Sequence, residues 1–412
     1  MSGNVPCLSG VRVVEFAQYR AGPHCGAMLA TLGAEVIKVE SLARPDFVRY
    51  KMYTKDHGPA DLSAPPDPAH MNWRFDSINM GKCSTRLNLT GVGATDIVRR
   101  LAQVSDVFIN AFAPGVLDKA GVGYSQLRQW RPDIILLSLS SAGATGPECR
   151  YRGFAPTFAA GGGLSHISGY ADGPPMEFSG SMDNLTGTFA LLGVLAALAE
   201  RERTGRGQHI DVAANECIAL ALGSPLIDYL ATGNEARRDG NRHPLMAPSN
   251  CYPCGAPEEW ISIVVETDAE WLALCRLIEA HDLANDPRLA TSAGRKAFED
   301  EIDVRVEDWT RRHSAYEAMH LLQKVGVAAV PSFRTDQLFR DPHLAERKTW
   351  VRLQHPFLGT LHEVHMPWRF GEAKVAHARG PLFGEDDTFV YGEVLGMDEG
   401  LLQEYQQGRV IF

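Results

Sequence analysis

The sharpest chemical candidate in the sequence is one aspartate, Asp183, in the run Ser181-Met182-Asp183-Asn184-Leu185-Thr186-Gly187. It follows a Gly/Pro-rich stretch and stands immediately before a long apolar segment. An aspartate there suits a helix N-cap, and the positive end of the helix dipole favours its charged form. On the local sequence alone the cap explains it, and nothing there demands chemistry. The other candidates are weaker. Cys251-Tyr252-Pro253-Cys254 has metal-like spacing, but a zinc site needs two more ligands and no second such pair exists, so it reads as two thiols. His24, His166 and His243 stand singly and read as packed or surface residues. Ser179-Gly180-Ser181 lacks the G-x-S-x-G elbow of a serine hydrolase and a strand leading into it. Gly161-Gly162-Gly163 is either a phosphate-approach loop or, more simply, a tight helix contact, and no P-loop Lys-Ser/Thr follows.

The elements around these residues alternate. Val11–Phe16, Val36–Glu40, Asp106–Ile109, Ile134–Ser140 and Gln208–Ala213 read as short strands. Gly22–Leu32, Thr90–Ala102, Ser125–Trp130, Leu185–Arg203 and Glu216–Leu230 read as helices between or after them. That alternation predicts βαβ units around a parallel sheet. Arg44–Asn72 interrupts the rhythm as a Pro- and Asp-rich surface excursion. The turn after the first strand, Gln18 to Gly26, lacks the G-x-G-x-x-G spacing, so a nicotinamide or flavin site is not expected there. A second module is predicted from about Asn250. It has a strand at Trp260–Val265 and helices at Ala269–Ala280, Lys296–Arg312 and Ala315–Val325, with Val327–Pro331 leading away from it. Residues 348–371 alternate like strands, and Asp386–Gln407 reads as helical.

Composition bounds the function. The 412 residues carry 40 Lys+Arg against 50 Asp+Glu, a net charge of −10, which argues against a nucleic-acid partner. No stretch approaches ~18 uninterrupted apolar residues, and the first ten residues lack a signal pattern, so no membrane partner is expected. Eight scattered cysteines fit reduced thiols and a cytoplasmic location.

Several ordered segments together resemble CoA-transferase family III, the group of formyl-CoA and carnitine CoA-transferases. They are Leu8–Phe16, Ala21-Gly22-Pro23, Leu32–Glu40, Pro114–Lys119, Asp172-Gly173-Pro174-Pro175, Thr204–Gln208 and Asp341-Pro342-His343. The resemblance implies an acyl-CoA:carboxylate CoA-transferase in which Asp183 is the catalytic nucleophile. Its carboxylate would pass through an aspartyl–acyl anhydride and an aspartyl-CoA thioester, held ionised by the helix dipole. Backbone N–H groups around Gly161–Gly163 would serve the oxyanions. Gln18, Tyr19, Arg20, Phe154, Gly162 and Gly163 would line the substrate. Arg44, Lys82, Phe112, Lys119 and Arg152 would hold CoA, a substrate rather than a tightly bound cofactor. No metal is implied.

Departures from the oxalate-linked enzymes point to another acid. Their active-site tyrosine and glutamate are replaced by Phe154-Ala155, and their His-x-Gln turn by Gln18-Tyr19-Arg20. If Arg20 faces the site, its guanidinium suits the second carboxylate of a dicarboxylate such as succinate; the alternative is an internal pair with Glu40. Phe154, Ala155 and Met182 lean toward a bulkier apolar substituent, as in the benzylsuccinate-type branch. Alternatives within the resemblance are an acyl-CoA isomerase or racemase and a subunit of a hetero-oligomeric CoA-transferase. The expected fold is α/β: a Rossmann-like parallel-sheet large domain (1–224, rejoined by 336–412) and a smaller α+β domain (225–335). The resemblance further implies an interlocked ring-shaped dimer, or a hetero-oligomer with a related subunit.

Overall fold

The computed structural model describes residues 5–50, 72–371 and 373–411. The chain divides into two compact units. The larger draws on Met1–His166, Glu177–Glu235 and Lys348–Phe412, the smaller on Ile167–Met176 and Ala236–Arg347.

The larger unit is built on six parallel strands: β1 (Arg12–Phe16), β2 (Glu35–Glu40), β3 (Cys83–Arg86), β4 (Val107–Asn110), β5 (Ile135–Ser140) and β6 (His209–Ala213). Their order is β3-β2-β1-β4-β5-β6, that of the doubly wound sheet, with its switch point between β1 and β4. Helices cover both faces, so the strands read as continuous apolar runs. Alternation still sorts their side chains. Val13, Val36, Val107 and Ile135 point to one face with α1 (Ala21–Thr31). Val14, Ile37, Phe108 and Leu136 point to the other, with α4 (Ala94–Val104). Val390, Tyr391, Val410 and Ile411 complete that second core. Between these elements lie α2 (Phe47–Tyr50), α3 (Trp73–Asn79), α5 (Val116–Lys119), α6 (Tyr124–Trp130), α7 (Ala155–Gly161) and α8 (Leu164–Ile167). Most of the Arg44–Asn72 excursion, residues 51–71, lies outside the described residues.

The long helix α9 runs Ser181–Thr204 and ends on Gly205 at φ +70. It begins four residues earlier than the sequence predicts, with Gly180 as N-cap, so Asp183 sits inside the first turn and is not the cap. This 24-residue helix is long and apolar enough to cross a membrane, yet Ala190, Leu191, Val194 and Ala197 pack into the sheet core. Its closest approach to α1 is at Gly187, where a Cβ would lie 2.6 Å from the Ala21 carbonyl oxygen. The helix expected over Glu216–Leu230 is two helices, α10 (Ala214–Leu222) and α11 (Ser224–Thr232). Gly223 at φ +61, followed closely by Pro225, breaks them.

The smaller unit is α+β. An antiparallel sheet of β7 (Ser249–Pro253), β8 (Trp260–Val264) and β9 (Ala328–Pro331) shares a core with α12 (Asp268–Leu277), α15 (Glu299–Thr310) and α16 (Ala315–Lys324). Short helices α13 (His281–Ala284), α14 (Ser292–Ala297), α17 (Thr335–Leu338) and α18 (Pro342–Glu346) complete it. Val327–Pro331, predicted to lead away, instead supplies the third strand. Its alternation buries Ala329 and Pro331 while β8 pairs with it. Residues 348–371 form the hairpin β10 (Trp350–His355) and β11 (Gly359–Val364), and α19 (Glu399–Gln407) follows.

Because Gly187 meets backbone, α1 and α9 cannot separate locally without cost. Gly187→Val is expected to destabilise the chain by ~1–3 kcal/mol in urea unfolding, and an unchanged midpoint would show the contact to be slack.

Candidate active site

The loop from β1 to α1 is clamped from below by buried charge. Glu15 and Lys38 are register partners on neighbouring strands, and both side chains are fully buried. Lys82 Nζ donates to Glu15 Oε1 and Oε2 (3.0 and 2.8 Å), to the Pro23 carbonyl (2.8 Å) and to Asn79 Oδ1 (2.9 Å). Lys38 Nζ donates to the Ala17 carbonyl at 2.7 Å and pairs with Asp46 Oδ2 at 3.1 Å. The loop residues Gln18 to Gly22 are therefore held at both ends by buried lysines. Gly26 leaves the space that Glu15 Oε2 occupies. Burial pulls the Lys82 ammonium down to about 8, with Glu15 opposing, while Asp46, Glu15 and Glu40 together outweigh burial and raise Lys38.

Lys82, expected to meet the CoA nucleotide, is turned inward in this structure. Its three N–H groups are spent on four protein acceptors, and its side chain is fully enclosed. The sequence held the signal: Glu15 and Lys38 each stand between apolar neighbours inside a strand, and a buried charge must be paired.

Above the clamp, Arg20 precedes α1 and donates from Nη1 to Asn184 Oδ1 at 3.4 Å. It makes no ion pair with Glu40, which is held by Arg49 at 2.9 and 2.8 Å and by Ser84 at 2.7 Å. Arg20 lies close enough to Asp183 to act on its titration. Burial pushes the Asp183 carboxyl up to about 6, and the Arg20 guanidinium draws it back. Desolvation thus outweighs the nearby guanidinium. Arg20, Lys82 and above all burial lower His24, one turn further along α1, to about 4 and keep it neutral. A partly desolvated carboxyl titrating near 6 is ionised at neutral pH, and can attack an activated carbonyl or take up a proton.

The remaining predicted residues divide. Gln18 Nε2 donates to the Arg44 carbonyl at 2.6 Å, and the Arg44 side chain is exposed. The Tyr19 ring stacks on Phe47 at 5.4 Å and meets Phe154 edge-on at 5.6 Å. Phe154 N-caps α7, whose Ala155, Phe158 and Ala159 pack with Met182. Phe112 follows β4 half-buried against the sheet core; Lys119, at the end of α5, and Arg152 are exposed. Gly162 and Gly163, expected to serve the oxyanions, have their N–H groups engaged within the chain. Their N–H groups donate to Phe158 and Ala160 carbonyls at 2.8 and 3.1 Å. A Cβ on Gly162 would strike Ile218 and, at 2.8 Å, the Asn215 carbonyl oxygen. The run is a helix contact against α10. Among the described residues the first-turn N–H groups of Met182 and Asp183 have no hydrogen-bond partner. Sequence reasoning passed over Asn184 and Phe47, neither of which carries a local motif.

Residues 8–387 match the family described as CoA-transferase family III. The chain belongs to that family. It is 32% identical to the succinyl-CoA--D-citramalate CoA-transferase of Chloroflexus aurantiacus over 406 residues, 98% of each chain. It is 31% identical to the succinyl-CoA:mesaconate CoA-transferase of Haloarcula marismortui, covering 95% of this chain and 97% of that one. A CaiB/BaiF family crystal structure from Brucella suis superimposes with a TM-score of 0.82 at 31% identity, over 95% of this chain and 100% of that chain. For this family III enzyme, the exposed cations Arg44, Lys119 and Arg152 and the half-buried Phe112 are the predicted CoA contacts left accessible.

The raised Asp183 carboxyl gives a signed prediction. The folded state takes up its proton more readily than the unfolded chain, so stability falls as pH rises from about 4 to about 6. Asp183→Asn is expected to raise stability at pH 7.5 by ~1 kcal/mol, discounted for partial exposure, and to change it little at pH 4. An equal effect in thermal melts at both pH values would contradict this.

Proposed function

We propose that this family III enzyme transfers CoA from an acyl-CoA, with succinyl-CoA or another dicarboxylyl-CoA as donor or product, through Asp183. An Asp183 carboxylate oxygen attacks the thioester carbonyl, the C–S bond breaks, and CoA leaves as thiolate. The thiolate attacks Cγ of Asp183, the donor acid departs, and an aspartyl-CoA thioester remains. The acceptor carboxylate attacks the same Cγ and expels the thiolate again. The thiolate then takes the acceptor acyl group and releases Asp183 as carboxylate. No net proton is consumed, and no metal or redox cofactor is needed.

The observation that carries this reading is the Asp183 carboxyl itself, half-buried in the first turn of α9 with Arg20 as its opposing charge. Its ionised form is available at neutral pH yet poorly solvated, as a nucleophile requires. The unpaired N–H groups of Met182 and Asp183 supply oxyanion donors in place of the glycine run. Arg20 makes no ion pair among the described residues, and its remaining donors suit a second carboxylate. Succinate, citramalate and mesaconate, for which two similar enzymes are named, all carry one.

The exposed apolar side of α11, with Leu226, Ile227, Tyr229 and Leu230 at 44, 63, 52 and 79% exposure, supports an obligate oligomer, either the interlocked dimer or a pairing with a related subunit. The acidic balance and scattered thiols support a cytoplasmic enzyme without nucleic-acid or membrane partners.

Asp183→Asn is expected to abolish turnover while CoA still binds, and hydroxylamine trapping followed by mass spectrometry should mark Asp183 in the active chain. Full-speed transfer by the Asn variant would end the proposal. Wild-type kcat/KM is expected to fall as pH drops through about 6. Arg20→Met is expected to raise KM for a dicarboxylic acid by about 10-fold or more, and an unchanged KM would remove the second-carboxylate role.

A further inference from the structure

His24 is a polar ring in a helix contact, and it has no partner there. Its imidazole is half-buried, and among the described residues neither ring nitrogen makes a hydrogen bond. Polar groups withdrawn from water are normally paired, so an exception calls for an explanation. Its place on α1 gives one. Arg20 Nη1 reaches Asn184 in the first turn of α9. One turn on, the Ala21 carbonyl oxygen and the His24 ring both lie against Gly187. These matching steps show that α1 and α9 run side by side in the same direction, with their first turns together. A Cβ at Gly187 would lie 3.1 Å from His24 Cδ2, the ring carbon bonded to Nε2, so the Nε2 edge is turned toward α9. Helical side chains lean toward the helix N-terminus. Asp183 stands one turn before Gly187, and His24 therefore leans toward its carboxyl. The Arg20 guanidinium acts on both groups, which sets all three around one space. Burial, Arg20 and Lys82 hold the His24 ring in its neutral form, with one N–H to donate.

We propose that His24 Nε2–H donates a hydrogen bond to the side-chain carbonyl oxygen that Asp183 presents once acylated, first in the anhydride and then in the CoA thioester. The role rests on Asp183 being the nucleophile. Each attack on Cγ turns that oxygen into an oxyanion, and each departure restores the carbonyl. The imidazole keeps its proton throughout, so the proton balance of the transfer is unchanged. A neutral donor suits this task. It stabilises the developing oxyanion without forming an ion pair with the resting carboxylate, which would blunt the nucleophile. His24 becomes a catalytic residue of this chain.

The test follows exchange of labelled succinate into succinyl-CoA, which needs no second acid. His24→Phe keeps a flat ring and removes the donor. It is expected to lower kcat about 100-fold with KM for succinyl-CoA little changed. His24→Gln, whose amide N–H stands in for Nε2–H, is expected to recover about tenfold of that loss. A donor also leaves a spectroscopic mark that a merely structural ring does not. In chains carrying aspartate labelled with carbon-13 at the side-chain carboxyl, the infrared carbonyl band of the aspartyl-CoA thioester is expected at higher wavenumber in His24→Phe than in the wild type, with His24→Gln between. Wild-type kcat in His24→Phe, or an unmoved carbonyl band, overturns the role. So does a loss that His24→Gln repeats in full alongside a lowered melting temperature. Hydroxylamine separates this failure from that of the nucleophile. If Asp183 of the wild-type chain is marked and His24→Phe exchanges at full speed, His24 alone is excluded. If Asp183 is never marked, the nucleophile and the His24 role fall together.

Discussion

Four buried charges, Glu15, Lys38, Lys82 and Asp46, set the conformation on which the rest of the site depends. Two lysines and two carboxylates are removed from water together, which is tolerable only because each faces an opposite charge and further backbone or amide partners. Removing one member would strand the others at a cost of roughly 3–5 kcal/mol. What the cluster secures is a loop. The carbonyls of Ala17 and Pro23 are its anchors, and between them stand the residues that face Asp183. The sheet therefore carries its recognition loop on an ionic footing rather than on packing alone.

Against that fixed loop, α9 is set by shape. Gly187 lets it touch the α1 backbone, and Asp183, four residues earlier, is carried one turn back along the same side of the helix toward Arg20. Burial and the guanidinium then act on the carboxyl in opposite senses, and burial is the larger. The site is a place where a charge is made uncomfortable but kept.

Much of this was legible in the chain. Short apolar strands separated by helices announced the parallel sheet, and five of its six strands begin and end within a residue or two of their sequence patterns; the sixth, β3, carries the polar run Cys-Ser-Thr-Arg and does not read as a strand. Asp183 and Arg20 could be singled out, and so could Tyr19 and Phe154, although not that their rings touch. Lys82 was assigned to CoA by its position in the family resemblance; only the pairing of β2 with both β1 and β3 brings it beside Glu15, where it points inward. The glycine run was legible only as two alternatives, and the helix contact is the one formed. Glycine permits both close ligand approach and close helix approach, and only the position of α10 decides between them. The small sheet's third strand was missed because four residues of Ala-Ala-Val-Pro carry little pattern of their own.

The second core of the large sheet has a consequence for how the chain comes to be folded. Its strands and α4 are made early, but Val390, Tyr391, Val410 and Ile411 close the same face, and the whole smaller unit is translated in between. Chains fold from the N-terminus as they emerge, so α4 covers part of that face early and the rest waits for Val390, Tyr391, Val410 and Ile411. Such high sequence separation slows collapse and lengthens exposure to misassociation. A stretch made late thus seals a core begun early.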